Sequence, residues 1–217
     1  MVNTNLELSI NTLKQYTITM IARCEEAISN SVEYMVNKDL EGSRKIIEKD
    51  DEIDKLREYI RDRSIELIAL RQPMAKDLRY IYALGNIAIE LERIGDYAVN
   101  IALETLKIGN EEYIKSLVDI PKMAQECKNM LADVSIALEN EDAKLCYEIA
   151  SRDDKIDDLY DQIHIDCLKV MNEKKGTITQ GVRLLFVGRY LERTGDHITN
   201  VCEKVIYAID GDMVEIG

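Results

Sequence analysis

Apolar side chains recur at three- and four-residue spacing along almost the whole chain, and stretches of strict two-residue alternation are nearly absent. That period places the apolar residues on one stripe of an α-helix and predicts a protein built from long amphipathic helices. Six segments follow from it. The first runs from about Leu6 to Val36, with Leu6, Ile10, Leu13, Ile21, Cys24, Ile28, Val32 and Met35 as its stripe. The second runs from Asp39 to Arg71 and stops at Gln72-Pro73, because the residue before a proline is pushed out of the helical region. The third covers about Met74 to Lys107 and ends at Gly109-Asn110. The remaining three are expected at Glu111–Leu138, with Pro121 as a candidate kink, at Asp142–Asn172 before Lys174-Lys175-Gly176, and at Thr179–Ile209. Short connections make successive helices antiparallel.

The pattern repeats. Leu91-Glu92-Arg93-Ile94-Gly95-Asp96 returns one hundred residues later as Leu191-Glu192-Arg193-Thr194-Gly195-Asp196, and each copy follows an acidic signature, Asp50-Asp51-Glu52-Ile53-Asp54 and Asp153-Asp154-Lys155-Ile156-Asp157. A unit present twice suggests a duplicated bundle rather than a solenoid. The expected fold is therefore all-α: two tandem three-helix bundles related by internal duplication, residues 1–108 and 109–217, six long antiparallel helices in all.

The repeated acids carry the candidate chemistry. Asp50 with Asp54, Glu92 with Asp96, Asp153 with Asp157 and Glu192 with Asp196 each sit four residues apart. On a helix such a pair shares one face and repels by about 0.2–0.5 kcal/mol. A hard cation reverses the sign, since it binds oxygen ligands in this arrangement. Asn100 and Asn200 extend the third-helix rows by four more residues and add amide oxygens. Carboxylates at this spacing arise by chance in a chain with 41 acidic residues, and a solvated acidic face is the ordinary explanation for one pair. Recurrence of two pairs at matched spacing favours ligation, although shared ancestry retains some of it. Gly95 and Gly195 lie between the acids at a helix-interior cost of about 1 kcal/mol. Close approach of a neighbouring helix explains them at least as well as room for a metal. Arg93 and Arg193 read as surface ion pairs, and His164 and His197 as surface or packing residues, which argues against a ferritin-like di-iron site needing Glu-x-x-His twice.

Composition narrows the function classes. The chain holds 28 basic and 41 acidic residues, a net charge of −13, which disfavours nucleic acid as a partner and favours cations or basic protein surfaces. The five cysteines have no C-x-x-C spacing and read as buried apolar residues in a reducing compartment. No apolar run reaches the ~18 residues that span a bilayer, and the N-terminus lacks a signal-peptide pattern, so a cytoplasmic protein without direct membrane insertion is expected. No nucleotide-binding, hydrolase or zinc-protease motif nominates a catalytic residue.

The two Leu-Glu-Arg-x-Gly-Asp copies, the Asp-x-x-x-Asp motif one helix before each, and the segment Arg71-Gln72-Pro73-Met74-Ala75-x-Asp77-Leu78-Arg79 together resemble the PhoU family of phosphate-uptake regulators. The similarity runs from about Thr12 to Ile209. It implies a duplicated three-helix-bundle fold with metal clusters on (Glu/Asp)-x-x-x-Asp motifs, here Asp50, Asp54, Glu92, Asp96, Asp153, Asp157, Glu192 and Asp196. It also implies a non-enzymatic cytoplasmic negative regulator, often a homodimer, coupling a phosphate-import ABC transporter to a membrane sensor histidine kinase. The second half lacks the Arg-Gln-Pro-Met-Ala-x-Asp-Leu-Arg segment, having Lys174-Lys175-Gly176-Thr177 at that loop. All-oxygen shells leave iron, zinc, manganese, magnesium and calcium open as metals. The competing class is a carboxylate-bridged metalloenzyme, a di-iron oxidase or a metal-dependent phosphohydrolase.

Overall fold

A computed structural model describes residues 4–216. Among them the regular elements are all helical: α1 (Thr4–Asn37), α2 (Leu40–Arg71), α3 (Ala75–Ile108), α4 (Asp119–Asn140), α5 (Ala143–Ala150), α6 (Asp153–Glu173) and α7 (Ile178–Ile209). α1, α2 and α3 form the first three-helix bundle; α4, α5 with α6, and α7 form the second. Two seams join them, α1 against α4 and α3 against α7, and a single apolar core runs through both.

The duplication is visible in backbone detail. Lys38 (φ 54) and Glu141 (φ 53) both take the left-handed conformation that ends a helix. The next residue in each case, Asp39 or Asp142, caps the following helix by accepting from a backbone N–H, of Gly42 at 2.8 Å and of Leu145 at 3.0 Å. These turns lie 103 residues apart (38 to 141). The same offset relates Cys24 to Cys127, whose buried thiols donate to the carbonyls of Leu91 and Leu191. The five cysteines are buried and unpaired; burial pushes the Cys24 and Cys127 thiols well above their ordinary range, which suits packing residues rather than reactive ones.

Two expected elements are corrected. The fourth helix starts at Asp119, not Glu111, because the preceding segment has better partners elsewhere: the Ile114 N–H donates to the Gln180 side chain at 2.7 Å, the Tyr113 hydroxyl to the Met35 carbonyl, and Lys115 pairs with Asp166 at 2.6 Å. Pro121 therefore falls in the first turn of α4, where its missing N–H costs nothing. The expected Asp142–Asn172 helix is divided at Ser151-Arg152 into α5 and α6. There the Ser151 hydroxyl donates to the Glu148 carbonyl and the Arg152 N–H to the Ile149 carbonyl, three residues back, so the regular ladder is interrupted. The first half passes the corresponding point without a break, since α2 is continuous.

Candidate metal centres

Asp50 and Asp54 lie on α2, Glu92, Asp96 and Asn100 on α3; Asp153 and Asp157 lie on α6, Glu192, Asp196 and Asn200 on α7. The glycines between the acids explain how each pair of helices comes together. A Cβ on Gly95 would stand 3.0 Å from the Ile53 methyl, and one on Gly195 3.0 Å from the Ile156 methyl and against the Asp153 carboxylate. Ile53 and Ile156 sit between the acids of their own helices. The bare glycine backbone thus lets α2 dock on α3, and α6 on α7, at the level where both acidic pairs occur. Helix approach accounts for the glycines.

The resulting quartets interact as like charges. Burial first, and then the carboxylates of Asp54 and Asp96, push Asp50 up to about 6. Asp153 is pushed up to about 7 by burial, then by Asp157, Asp196 and Glu192. Burial followed by Asp196 also raises Asp157 and Glu192. In the second quartet Asp153 Oδ1 is buried without any hydrogen-bond partner, and Glu192 Oε2, also without a hydrogen bond, has only the Arg193 guanidinium at 3.6 Å. An unpaired buried carboxylate oxygen is costly and calls for a compensating positive group. Among the described residues no three His, Cys, Asp or Glu side chains converge closely enough to ligate one ion, so the acids face one another rather than closing a shell. The donor sets nonetheless have the chemistry of a hard-cation site: both are all oxygen and like-charged, and the second is partly orphaned.

Arginines cover part of this charge. Arg93 and Arg193 pair with Asp96 (3.2 Å) and Asp196 (2.8 Å) of their own helices, as exposed ion pairs. Arg57 of α2 approaches Glu92 at 3.8 Å, whereas Glu192 is met by Arg189 of α7 at 3.3 Å. These two cations differ between halves, and the repeat comparison did not reveal them because neither has a counterpart of its own type: Tyr160 stands opposite Arg57 and Ile89 opposite Arg189.

Asn100 is half-buried on α3, while Asn200 turns to the α3/α7 seam and donates to Glu90 at 3.2 Å. His197 bonds the same Glu90 carboxylate at 2.7 Å, and Tyr97 stacks on Tyr190 at the pseudo-symmetric position of the antiparallel seam. Glu90 is a residue that spacing could not single out, since position 190 carries tyrosine. His164 is exposed beside Tyr160.

The raised carboxylates give a pH dependence with a definite sign. A group whose folded pKa lies above its unfolded value of 3.8 favours the folded state at low pH, and that contribution is lost as pH rises through the folded pKa. Stability of the metal-free chain should therefore fall as pH rises from about 4 to about 7, and Asp153→Asn should remove much of that fall. A melting temperature that climbs over this window in the wild type contradicts the electrostatic description. Bound cations need ionised ligands, so metal-dependent stabilisation should grow over the same window.

The family model described as PhoU domain matches the chain twice, over residues 17–105 and 120–205. The chain belongs to the PhoU family. It is 36% identical over 211 residues to a phosphate-specific transport system accessory protein PhoU homolog of Clostridium acetobutylicum, covering 97% of this chain and 96% of that one. The phosphate-specific transport system accessory protein PhoU of Escherichia coli is 30% identical over 202 residues, 93% and 84% of the two chains. The crystal structure of the phosphate transport system regulatory protein PhoU from Streptococcus pneumoniae superposes with a TM-score of 0.91 at 27% identity, covering 97% of this chain and 99% of that one. PhoU from Pseudomonas aeruginosa gives 0.90 at 26%, over 95% and 99%. Among the described residues no helix is long and apolar enough to cross a membrane.

Proposed function

We propose that this chain is a cytoplasmic, metal-binding regulator of phosphate uptake, a non-enzymatic adaptor between a phosphate ABC transporter and a membrane sensor histidine kinase. The observation that carries the reading is the doubled family match, together with relatives named as accessory and regulatory proteins of phosphate transport. The two bundles, residues 1–108 and 109–217, each bring one acidic quartet. Asp50, Asp54, Glu92 and Asp96 would hold metal in the first, and Asp153, Asp157, Glu192 and Asp196 in the second; iron, zinc, manganese and magnesium are the candidate ions. Asn100 lies one turn beyond Asp96 and would lend its amide oxygen, whereas Asn200 is committed to Glu90. A bound cation supplies the positive charge the quartets lack, and so ties α2 to α3 and α6 to α7. Arg93 and Arg193 hold Asp96 and Asp196 on the outer face. The chain is expected to work as a homodimer.

Affinity capture of the tagged, folded protein from a phosphate-replete extract tests the adaptor role. Recovery of an ABC-transporter subunit and a sensor kinase is the expected result; recovery of neither overturns it. Phosphatase or oxygen-consuming turnover that disappears in Asp96→Asn and Asp196→Asn proteins would instead establish the metalloenzyme.

A local prediction separates ligand from scaffold. In the metal-free chain, Asp96→Asn removes one repelling charge from Asp50 and one exposed ion pair with Arg93, effects of a few tenths of a kcal/mol that nearly cancel. The apo melting temperature should barely move, while the metal-induced shift shrinks. A large apo loss with an intact metal shift would make Asp96 a structural residue.

A further inference from the structure

The carboxylates that lead the two quartets are held differently. In the first half the three atoms nearest a Cβ on Gly95 all belong to Ile53, so Asp50 keeps clear of the α3 backbone. In the second half Asp153 Oδ1 is the atom nearest a Cβ on Gly195, and Asp153 Cγ lies 3.3 Å from it. The Asp153 carboxylate is thus turned inward onto α7. No neighbouring cation holds it there: Arg152 reaches instead to α4, meeting Glu126 at 2.7 Å and also Asp133, and Lys155 joins the same Glu126.

One residue on that wall of α7 differs in kind between the halves. Thr199 follows Gly195 by one turn on the same helix face, and its counterpart one hundred residues earlier is Val99. In the first half Val99 and Asp50 line the same groove, which puts Thr199 and Asp153 at one level in the second. Thr199 is 2% exposed, and its Oγ1 has no hydrogen-bond partner. Thr17, Thr105 and Thr194 each donate to the carbonyl four residues back, the usual bond of a helical threonine, whereas Thr199 does not. Its hydroxyl is free for a partner outside its own helix. Two buried oxygens, a donor on Thr199 and an acceptor on Asp153, are left unmatched on one wall.

We propose that Thr199 positions Asp153 for the metal: its hydroxyl donates to Oδ1, directly or through one water, and leaves Oδ2 to face the cation. This role presupposes that the quartets are metal sites, as inferred above, and belongs to the second one alone. A ligating carboxylate is oriented by the hydrogen bonds it accepts, and loss of such a partner weakens metal binding by about 10–100-fold. Valine at position 99 offers no donor, so Asp50 has no equivalent support.

Manganese(II) titration of the full-length chain, with the free ion read by paramagnetic resonance, tests this in two backgrounds. Glu92→Gln with Asp96→Asn leaves the second site alone, and Glu192→Gln with Asp196→Asn leaves the first. Thr199→Val keeps the shape and loses the donor; Thr199→Ser keeps the donor and loses the methyl group. Affinity should follow the donor: in the second-site background Thr199→Val weakens binding at least about tenfold and Thr199→Ser retains it, while neither changes the first site. If the valine variant fails to fold, Thr199→Ala takes its place against Thr199→Ser. Affinity indifferent to loss of the hydroxyl, an equal loss in Thr199→Ser, or an equal loss in both backgrounds would overturn the proposal. A wild type that binds no manganese(II) removes the metal sites and this role together, an outcome distinct from binding that ignores position 199.

Discussion

Truncating Leu91 to alanine should lower the stability of the whole chain by about 2–5 kcal/mol, and Leu191→Ala should do the same. Both leucines are fully buried, each immediately before the first acid of its repeat, and each has the thiol of Cys24 or Cys127 bonded to its carbonyl. The surrounding helices are held at fixed spacing by the Gly95 and Gly195 contacts, so the space vacated by the leucine cannot collapse fully. Because one apolar core runs through both bundles, each variant should melt in a single transition shifted downward by several degrees. Chemical denaturation with circular dichroism checks both points. A loss below about 1 kcal/mol, or two separated transitions of which only the mutated half moves, contradicts the shared, tightly packed core.

That shared core was not legible in the sequence, although the bundles were. Period and repeat locate α1, α2, α3 and α7 to within a few residues, because their apolar stripes are long and their ends carry strong signals such as Pro73 and Gly109. The failures have local causes. Glu111 to Val118 has a composition compatible with helix, and only tertiary partners such as Gln180 and Asp166 draw it into another course. The break at Ser151-Arg152 depends on one hydroxyl competing for a backbone carbonyl, a signal far weaker than a proline. Glu141, a non-glycine residue at positive φ, ends α4 where no glycine marks the stop.

The candidate site divides along the same line. The eight carboxylates stand out because they recur, and the structure sets the four of each half against one another across α2/α3 and α6/α7. The features that distinguish the halves are the ones that do not recur. Arg57, Arg189, Glu90 and the Arg152 ion pairs become visible only when the helices are packed.

On the proposed function, duplication built two carboxylate sites, one per bundle, with no ligand in common. Well-separated sites of this kind behave nearly additively. The effect of disabling one is correspondingly large: Glu92→Gln with Asp96→Asn should empty the first site and leave the second loaded, and Glu192→Gln with Asp196→Asn should do the reverse. Arg93 and Arg193 each lose their carboxylate partner in these variants, but those ion pairs are exposed and contribute little to folding. The most direct measurement is the metal content per chain of the wild type and the two double variants, purified without chelator or histidine tag, loaded with the same metal and confirmed as folded. Each double variant should retain about half the wild-type metal. Loss of all metal from either folded variant, or full retention in both, would contradict it.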